Sequence, residues 1–179
     1  MGFWKCFIYL AMVGVVGFVL GRVLPKDWFP WERLPWKSCA FERNGEIYHK
    51  IGIRYWHNRI PDMSRILPGL MPPKKITKKP DMDTLVIMLR ETCVAELIHV
   101  LLCLSGVYCI VLWAGAGGLV IAVLNVLGNL PFILVQRYNR PRLAKLLKRC
   151  KRGMDTEMKI QWGGNHECID SQLQYGRRS

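Results

Sequence analysis

The sequence predicts an all-α integral membrane protein with three transmembrane helices and interfacial amphipathic helices. Two observations carry this. Hydrophobic residues make up 51% of the 179 residues and are gathered into a few long blocks, not spread through the short alternations of a soluble core. The formal net charge of +13 falls almost wholly outside those blocks, as expected of loops that rest against anionic headgroups. The sequence carries no nucleic-acid-binding motif, so the charge points to a membrane partner and not to nucleic acid.

The first block, residues 3–24, is interrupted only by Lys5 and Arg22. It is too long and too weakly basic at its start for an ordinary signal peptide, so residues 1–24 are expected to remain as a first transmembrane helix. Within it Gly17 and Gly21 form a GxxxG spacing, which lets another helix approach closely, including one from a second copy in a homo-oligomer. Glycine is also simply common in transmembrane helices, and both readings stay open.

Residues 25–80 form a basic loop. Its start, PKDWFPWERLPWKSCAF, alternates Trp28, Phe29, Trp31 and Trp36 with prolines and charges, a mixture that settles at the headgroup level. Residues 41–62, FERNGEIYHKIGIRYWHNRIPD, suit a short amphipathic element broken near Gly45 and ended by Pro61. His49 and His57 within it have no carboxylate at helical spacing and read as interfacial side chains. Residues 68–80, PGLMPPKKITKKP, are a proline and lysine linker.

Asp81 or Asp83 can cap a helix that runs on through residues 81–114, the second span. Gly115, Ala116, Gly117 and Gly118 make a hairpin turn, and residues 119–135 are the third span. Residues 94–114 and 119–135 are each about long enough for a bilayer core of ~30 Å. The loop between the first two spans, counted to Thr92, carries thirteen Lys or Arg and the segment from Gln136 onward eleven, whereas the hairpin turn has none. The positive-inside rule therefore puts the loop and the C-terminus in the cytosol and the N-terminus outside, in a multi-pass cell-membrane protein.

The hairpin is not purely apolar. Glu96 and His99 are three residues apart and share a helix face, and Asn125, Asn129, Phe132 and Gln136 form a stripe on the facing helix. A turn near Gly115 brings His99 level with Phe132, and Glu96 level with Val135 and Gln136. Ionisable side chains within a span are costly, and two of them exceed what packing requires. The pair suits general base catalysis, with His99 taking a proton from an alcohol that attacks an acyl carbonyl and Glu96 orienting the imidazole. Asn125 and Asn129 read more simply as interhelical hydrogen-bond glue.

Where the third span ends, QRYNRPRL supplies Gln136, Arg137, Tyr138, Asn139, Arg140 and Arg142. Arginines bind phosphate in a bidentate way, so this patch can hold the phosphate of an acyl-CoA or acyl carrier protein donor; a stop-transfer boundary explains it equally well. Pro141 is expected to stop or reset the helix. Beyond it Leu143, Leu146, Leu147 and Cys150 recur against Lys145, Lys148, Arg149, Lys151 and Arg152, an interfacial amphipathic helix that completes a basic unit over residues 136–152. Residues 153–179 show no periodicity and are expected to be poorly ordered. The seven cysteines are scattered without a CxxC pair, which indicates neither a disulfide framework nor a zinc site, and no metal or other cofactor is expected.

AELIH at residues 95–99, an apolar turn, and then NLPFILVQRYNRPRL at residues 129–143 resemble the glycosyl-4,4'-diaponeurosporenoate acyltransferases of carotenoid biosynthesis, the enzymes that complete staphyloxanthin in staphylococci. The resemblance spans roughly residues 41–149. It implies transfer of a fatty acyl group to a sugar hydroxyl, in that family the primary 6-hydroxyl of a glucose on a carotenoid. The matching positions are Glu96, His99, Asn129, Gln136, Arg137, Tyr138, Asn139, Arg140, Pro141 and Arg142. The expected partners are a fatty acyl donor and a glycolipid acceptor. A rival from another class is a non-catalytic scaffold or small subunit of a glycolipid-handling complex; three spans enclose little volume, so an active site here calls for a homodimer or a partner.

Overall fold

The computed structural model describes residues 1–37, 42, 46–50, 52–56 and 81–175, with side chains described up to Thr156 but not at positions 46, 49, 54 and 56. The elements are α1 (Gly2–Val23), a 3₁₀ turn (Lys26–Trp28), α2 (Glu46–Lys50), α3 (Ile53–Trp56), α4 (Met82–Gly106), α5 (Cys109–Leu112) and α6 (Ala116–Tyr175). No strand occurs among the described residues. Three helical segments are long and apolar enough to cross a membrane: α1, α4 with α5, and the first part of α6.

The helices pack as the antiparallel hairpin that the sequence predicts. Gly106 lies so close to α6 that a Cβ there would sit 2.2 Å from Asn125 Nδ2. His99 stacks on Phe132, with ring centroids 4.7 Å apart and planes 11° from parallel. Further along, Leu85 and Leu89 of α4 pack on Leu143 and Leu147 of α6. These contacts put the expected pairs level with one another.

Helix α1 completes the bundle. Gly17 and Gly21 face Ile98 and Leu102 of α4, at distances a Cβ would make into van der Waals contact, so the GxxxG face is occupied within the chain. The start of α1 lies beside the hairpin turn, where Cys6 Sγ donates to the Cys109 carbonyl at 3.6 Å and Tyr9 to the Ser105 carbonyl at 3.1 Å. Its end is pinned to α4 by Lys26–Glu91 at 2.6 Å and by Asp27–Arg90. The N-terminus and the hairpin turn therefore share one side, and the basic segments share the other.

The turn itself is displaced from its expected place. Helix α4 tightens at its end through i→i−3 bonds, Val107 to Leu104 and Tyr108 to Ser105. The chain reverses around Trp113 to Gly115, the latter at φ +100°, and α6 has already begun at Ala116. Gly117 and Gly118 belong to that first turn of α6. A Cβ on Gly118 would be 2.3 Å from the Trp113 carbonyl and 2.5 Å from that of Cys109. These glycines permit close approach of backbones and do not make the turn.

Four further expectations are corrected. Helix α6 runs unbroken through Pro131 and Pro141 to Tyr175, so Pro141 does not reset it and residues 153–175 are helical backbone. Packing on both sides holds the helix at Pro141: Tyr138 is buried with Tyr48 and Ile53, and Leu143 and Leu147 are buried on α4. The leucine face of the basic segment is thereby spent on α4, and that segment is not a separate helix lying in the interface. The aromatic segment is likewise not simply an anchor. Phe29 is buried on Cys93, Val94 and Ile98 with Trp31 and Trp36 packed around it, and only Trp28 stands clear, 73% exposed. Residues 25–37 are therefore a strap across α4, held by turn bonds such as Trp36 to Arg33 at 3.0 Å.

In the 41–62 region the two short helices break at Gly52, whose φ is +72°. His57, Cys39 and the linker at 68–80 lie outside the described residues, as does the side chain of His49.

Candidate active site

Thr92, Glu96 and His99 recur on the face of α4 that meets α6. They form two adjoining polar groups. The outer one, towards the basic end, is ionic. Glu96 is 4% exposed, and its two oxygens are taken by different arginines of α6: Oε1 by Arg137 Nε at 2.6 Å, Oε2 by a terminal nitrogen of Arg140 at 2.5 Å. Arg137 also binds Glu42 Oε1 at 2.7 Å and the Pro35 carbonyl at 3.1 Å. Arg140, 3% exposed, spends its other donors on Thr92 Oγ1 at 3.0 Å, the Thr92 carbonyl at 3.1 Å and the Trp36 carbonyl at 2.7 Å.

Among the described residues two carboxylates, Glu42 and Glu96, thus face two guanidiniums, Arg137 and Arg140. Burying any one of these charges without the others would cost several kcal/mol. Glu42 is held in turn by the Tyr48 hydroxyl, which donates to it at 2.8 Å. Burial, reinforced by the Glu42 carboxylate, pushes the Tyr48 phenol well above its ordinary range, so it stays a donor. The cluster ties the strap, residue 42 and both hairpin helices into one piece.

The inner group is neutral. His99 Nδ1 lies 2.9 Å from Asn129 Oδ1. Asn129 Nδ2 donates to the Asn125 carbonyl at 2.9 Å and to its Oδ1 at 3.3 Å, and Asn125 Nδ2 donates to the Leu102 carbonyl at 2.8 Å. This chain of amides sets the Asn129 oxygen towards the imidazole, which assigns the proton to Nδ1 and the lone pair to Nε2. Nε2 has no hydrogen-bond partner among the described residues, and it is not a buried orphan atom either.

The sequence-predicted residues therefore separate. Glu96 and His99 are neighbours on α4, but Glu96 is bonded to arginines, and the partner of His99 is Asn129; the expectation that Glu96 orients the imidazole is corrected. The reason is reach, since arginines a turn further along α6 extend back to the carboxylate and satisfy both its oxygens. Arg137 and Arg140 are correspondingly engaged inside the protein and not left waiting for a phosphate. Tyr138 is buried, 2% exposed, with Arg142 stacked over its ring at 4.9 Å. Gln136 and Asn139 are half-buried and take no part in these hydrogen bonds.

Five participants were missed from the sequence: Glu42, Thr92, Tyr48 and the carbonyls of Pro35 and Trp36. Thr92 was accessible to pattern reasoning, standing four residues before Glu96 on the same face. Glu42 was recognisable only as an acidic residue in a strongly basic chain. Among the described residues no three His, Cys, Asp or Glu side chains gather as a metal site.

The fold and site define an all-helical membrane protein whose helical hairpin carries a part-buried histidine held by asparagines, next to a buried ionic cluster. A family model described as glycosyl-4,4'-diaponeurosporenoate acyltransferase matches residues 25–149, which include both polar groups. Relatives carrying that name from Staphylococcus aureus strains MRSA252 and N315 are 31% and 30% identical to this chain over 152 residues, covering 82% of it and 88% of each relative. This chain belongs to the glycosyl-4,4'-diaponeurosporenoate acyltransferase family, and it is an acyltransferase. No solved structure matches it.

Proposed function

We propose that this chain moves a fatty acyl group from a thioester donor to a sugar hydroxyl of a glycolipid, with His99 as general base. The acceptor follows the name of its relatives, a glycosylated diaponeurosporenoate of the carotenoid class. The observation that carries the reading is the state of the imidazole: Nδ1 is held by Asn129, and Nε2 has no hydrogen-bond partner among the described residues. A histidine serving only as interhelical glue has no need of a second amide behind its partner or of an unpartnered nitrogen.

In the reaction Nε2 takes the proton of the sugar hydroxyl as its oxygen bonds to the thioester carbonyl carbon. The tetrahedral adduct collapses with cleavage of the carbon–sulfur bond, and the imidazolium returns the proton to the departing thiolate. The products are an ester and a free thiol. Asn129 keeps the Nδ1–H tautomer throughout, and Phe132 stacked at 4.7 Å limits rotation of the ring. Glu96 with its arginines holds α4 and α6 in register one turn away.

Depth supports the same assignment. Arg137 lies ~32 Å along α6 from the turn, and Asn129 ~20 Å. With a hydrocarbon core of ~30 Å, the ionic cluster stands at the far interface and His99 just beneath it. A lipid acceptor keeps its polyene in the bilayer and its sugar at that level. In the orientation proposed from the charge count, this end faces the cytosol, where thioester donors are found.

The test is transfer by the purified protein in nanodiscs, given a glucosylated apocarotenoate and an acyl thioester. A product heavier than the acceptor by one acyl group, absent with His99→Gln, is expected. Equal product from His99→Gln would remove His99 from the mechanism.

A further inference from the structure

The basic stretch of α6 is not used by the chemistry above. Leu143 and Leu147 are buried on Leu85 and Leu89, so α4 and α6 continue together past the ionic cluster as a two-helix stalk. Around its outer face Lys145, Lys148, Arg149, Lys151 and Arg152 are all exposed, and none is ion-paired among the described residues.

Distance decides what these cations meet. Lys148 to Arg152 lie ~48–54 Å along α6 from the hairpin turn. A bilayer with its headgroups is ~40–45 Å thick, so the end of the stalk stands clear of the lipid phosphates. The cations are also spread over a convex face instead of gathered in a cavity, which suits a macromolecule better than a small phosphate ligand.

Beside the stalk lies a cleft of about 340 Å³ between the strap and the two helices, lined by Trp31, Glu32, Arg33, Arg90, Leu147 and Lys151 among others. Arg90 is neutralised by Asp27, which leaves Arg33 and Lys151 against Glu32. Arg90 is ~14 Å along α4 from His99, beyond the span of a sugar seated in the cleft but within that of an extended phosphate-linked arm.

We infer that the stalk is the docking surface for an acidic soluble protein that carries the acyl group as a thioester on a phosphate-linked arm. The cleft, through Arg33 and Lys151, receives the phosphate. This inference rests on the acyltransferase reading for its biological meaning, but its physical content is a charge-dependent contact that exists without turnover.

The test uses the full chain in nanodiscs of neutral lipid and holo acyl carrier protein as the probe. Wild type is compared with the fourfold variant Lys145→Glu, Lys148→Glu, Arg149→Glu and Arg152→Glu, at surface positions outside the cleft that leave the packed leucines intact. Wild type should bind with an affinity that falls as salt is raised, and the variant should bind at least ~10-fold more weakly. In transfer assays the variant should show a raised KM for the carrier-bound donor with kcat kept, and unchanged use of the same acyl group on coenzyme A.

Equal binding by the two proteins, or no binding by wild type, overturns the inference and leaves the cations to the lipid surface. Transfer from the coenzyme A thioester without any carrier binding also overturns it while the acyltransferase reading stands. Charge-dependent binding without transfer from either donor keeps the docking surface and sinks the catalytic reading.

Discussion

Asn129 Oδ1 lies 2.9 Å from His99 Nδ1, and this amide, not the carboxylate of Glu96 one turn away, orients the imidazole. An amide can fix the tautomer without adding charge at membrane depth, where a lone carboxylate would be costly. Asn129 stands behind His99 where a carboxylate stands behind histidine in a hydrolase triad, alike in position and not in charge.

In the proposed reaction Asn129 acts as a positioning residue. Asn129→Ala should lower kcat ~10–100-fold, the scale of losing correct alignment of a general base, with little change in either KM. Asn129→Asp, which keeps an acceptor at the same place, should recover part of the loss. Steady-state kinetics on the three proteins checks this, and equal losses in Ala and Asp forms would argue against an orienting role.

Glu96 is assigned to the brace and not to proton transfer. Glu96→Gln leaves Arg140, 3% exposed, without its buried counter-charge and should cost ~3–5 kcal/mol of stability. Thermal unfolding in detergent should show a large drop for Glu96→Gln and almost none for His99→Ala. An unfolding curve like wild type's, combined with lost activity, would return Glu96 to the chemistry.

Gly106 keeps the two helices close where Asn125 crosses. A Cβ there would meet Asn125 Nδ2 at 2.2 Å and drive it from the Leu102 carbonyl. Gly106→Ala should cost ~1–3 kcal/mol and lower kcat, because Asn129 loses its backing. Gly128, which has open space around it, is the control. Paired stability and rate measurements on Gly106→Ala and Gly128→Ala check the contrast.

Orientation in the membrane follows from the proposed cytosolic site. With the native cysteines replaced, Ala114→Cys at the hairpin turn should react with an impermeant maleimide added outside intact cells. Lys151→Cys on the stalk should react only after permeabilisation. The reverse pattern would place the histidine on the outer face.

Much of this architecture was legible because helical periodicity and apolar length are local properties. The hairpin register followed from one turn position, and the structure bears it out in the stack of His99 on Phe132. What was not legible depends on reach and on tertiary support. The i, i+3 spacing of Glu96 and His99 suggested a pair, but two long arginine side chains from the other helix take both oxygens of the carboxylate. Glu42 enters the cluster from a distant segment, and no local pattern announces it. Gly117 and Gly118 looked like part of the turn because the pattern of a turn and that of a close helix start are the same. Pro141 looked like a stop because the packing that supports α6 on either side of it comes from other parts of the chain.

The central claim is that His99 performs acyl transfer to a glycolipid. Its most direct test is lipid mass spectrometry on cells that make the glycosylated carotenoid acceptor and carry the wild-type gene, no gene, or the His99→Ala form at matched membrane levels. The account predicts that an acylated glycolipid appears only with wild type, and that its unacylated parent accumulates in the other two. Acylated product from the His99→Ala cells at the wild-type level would contradict it.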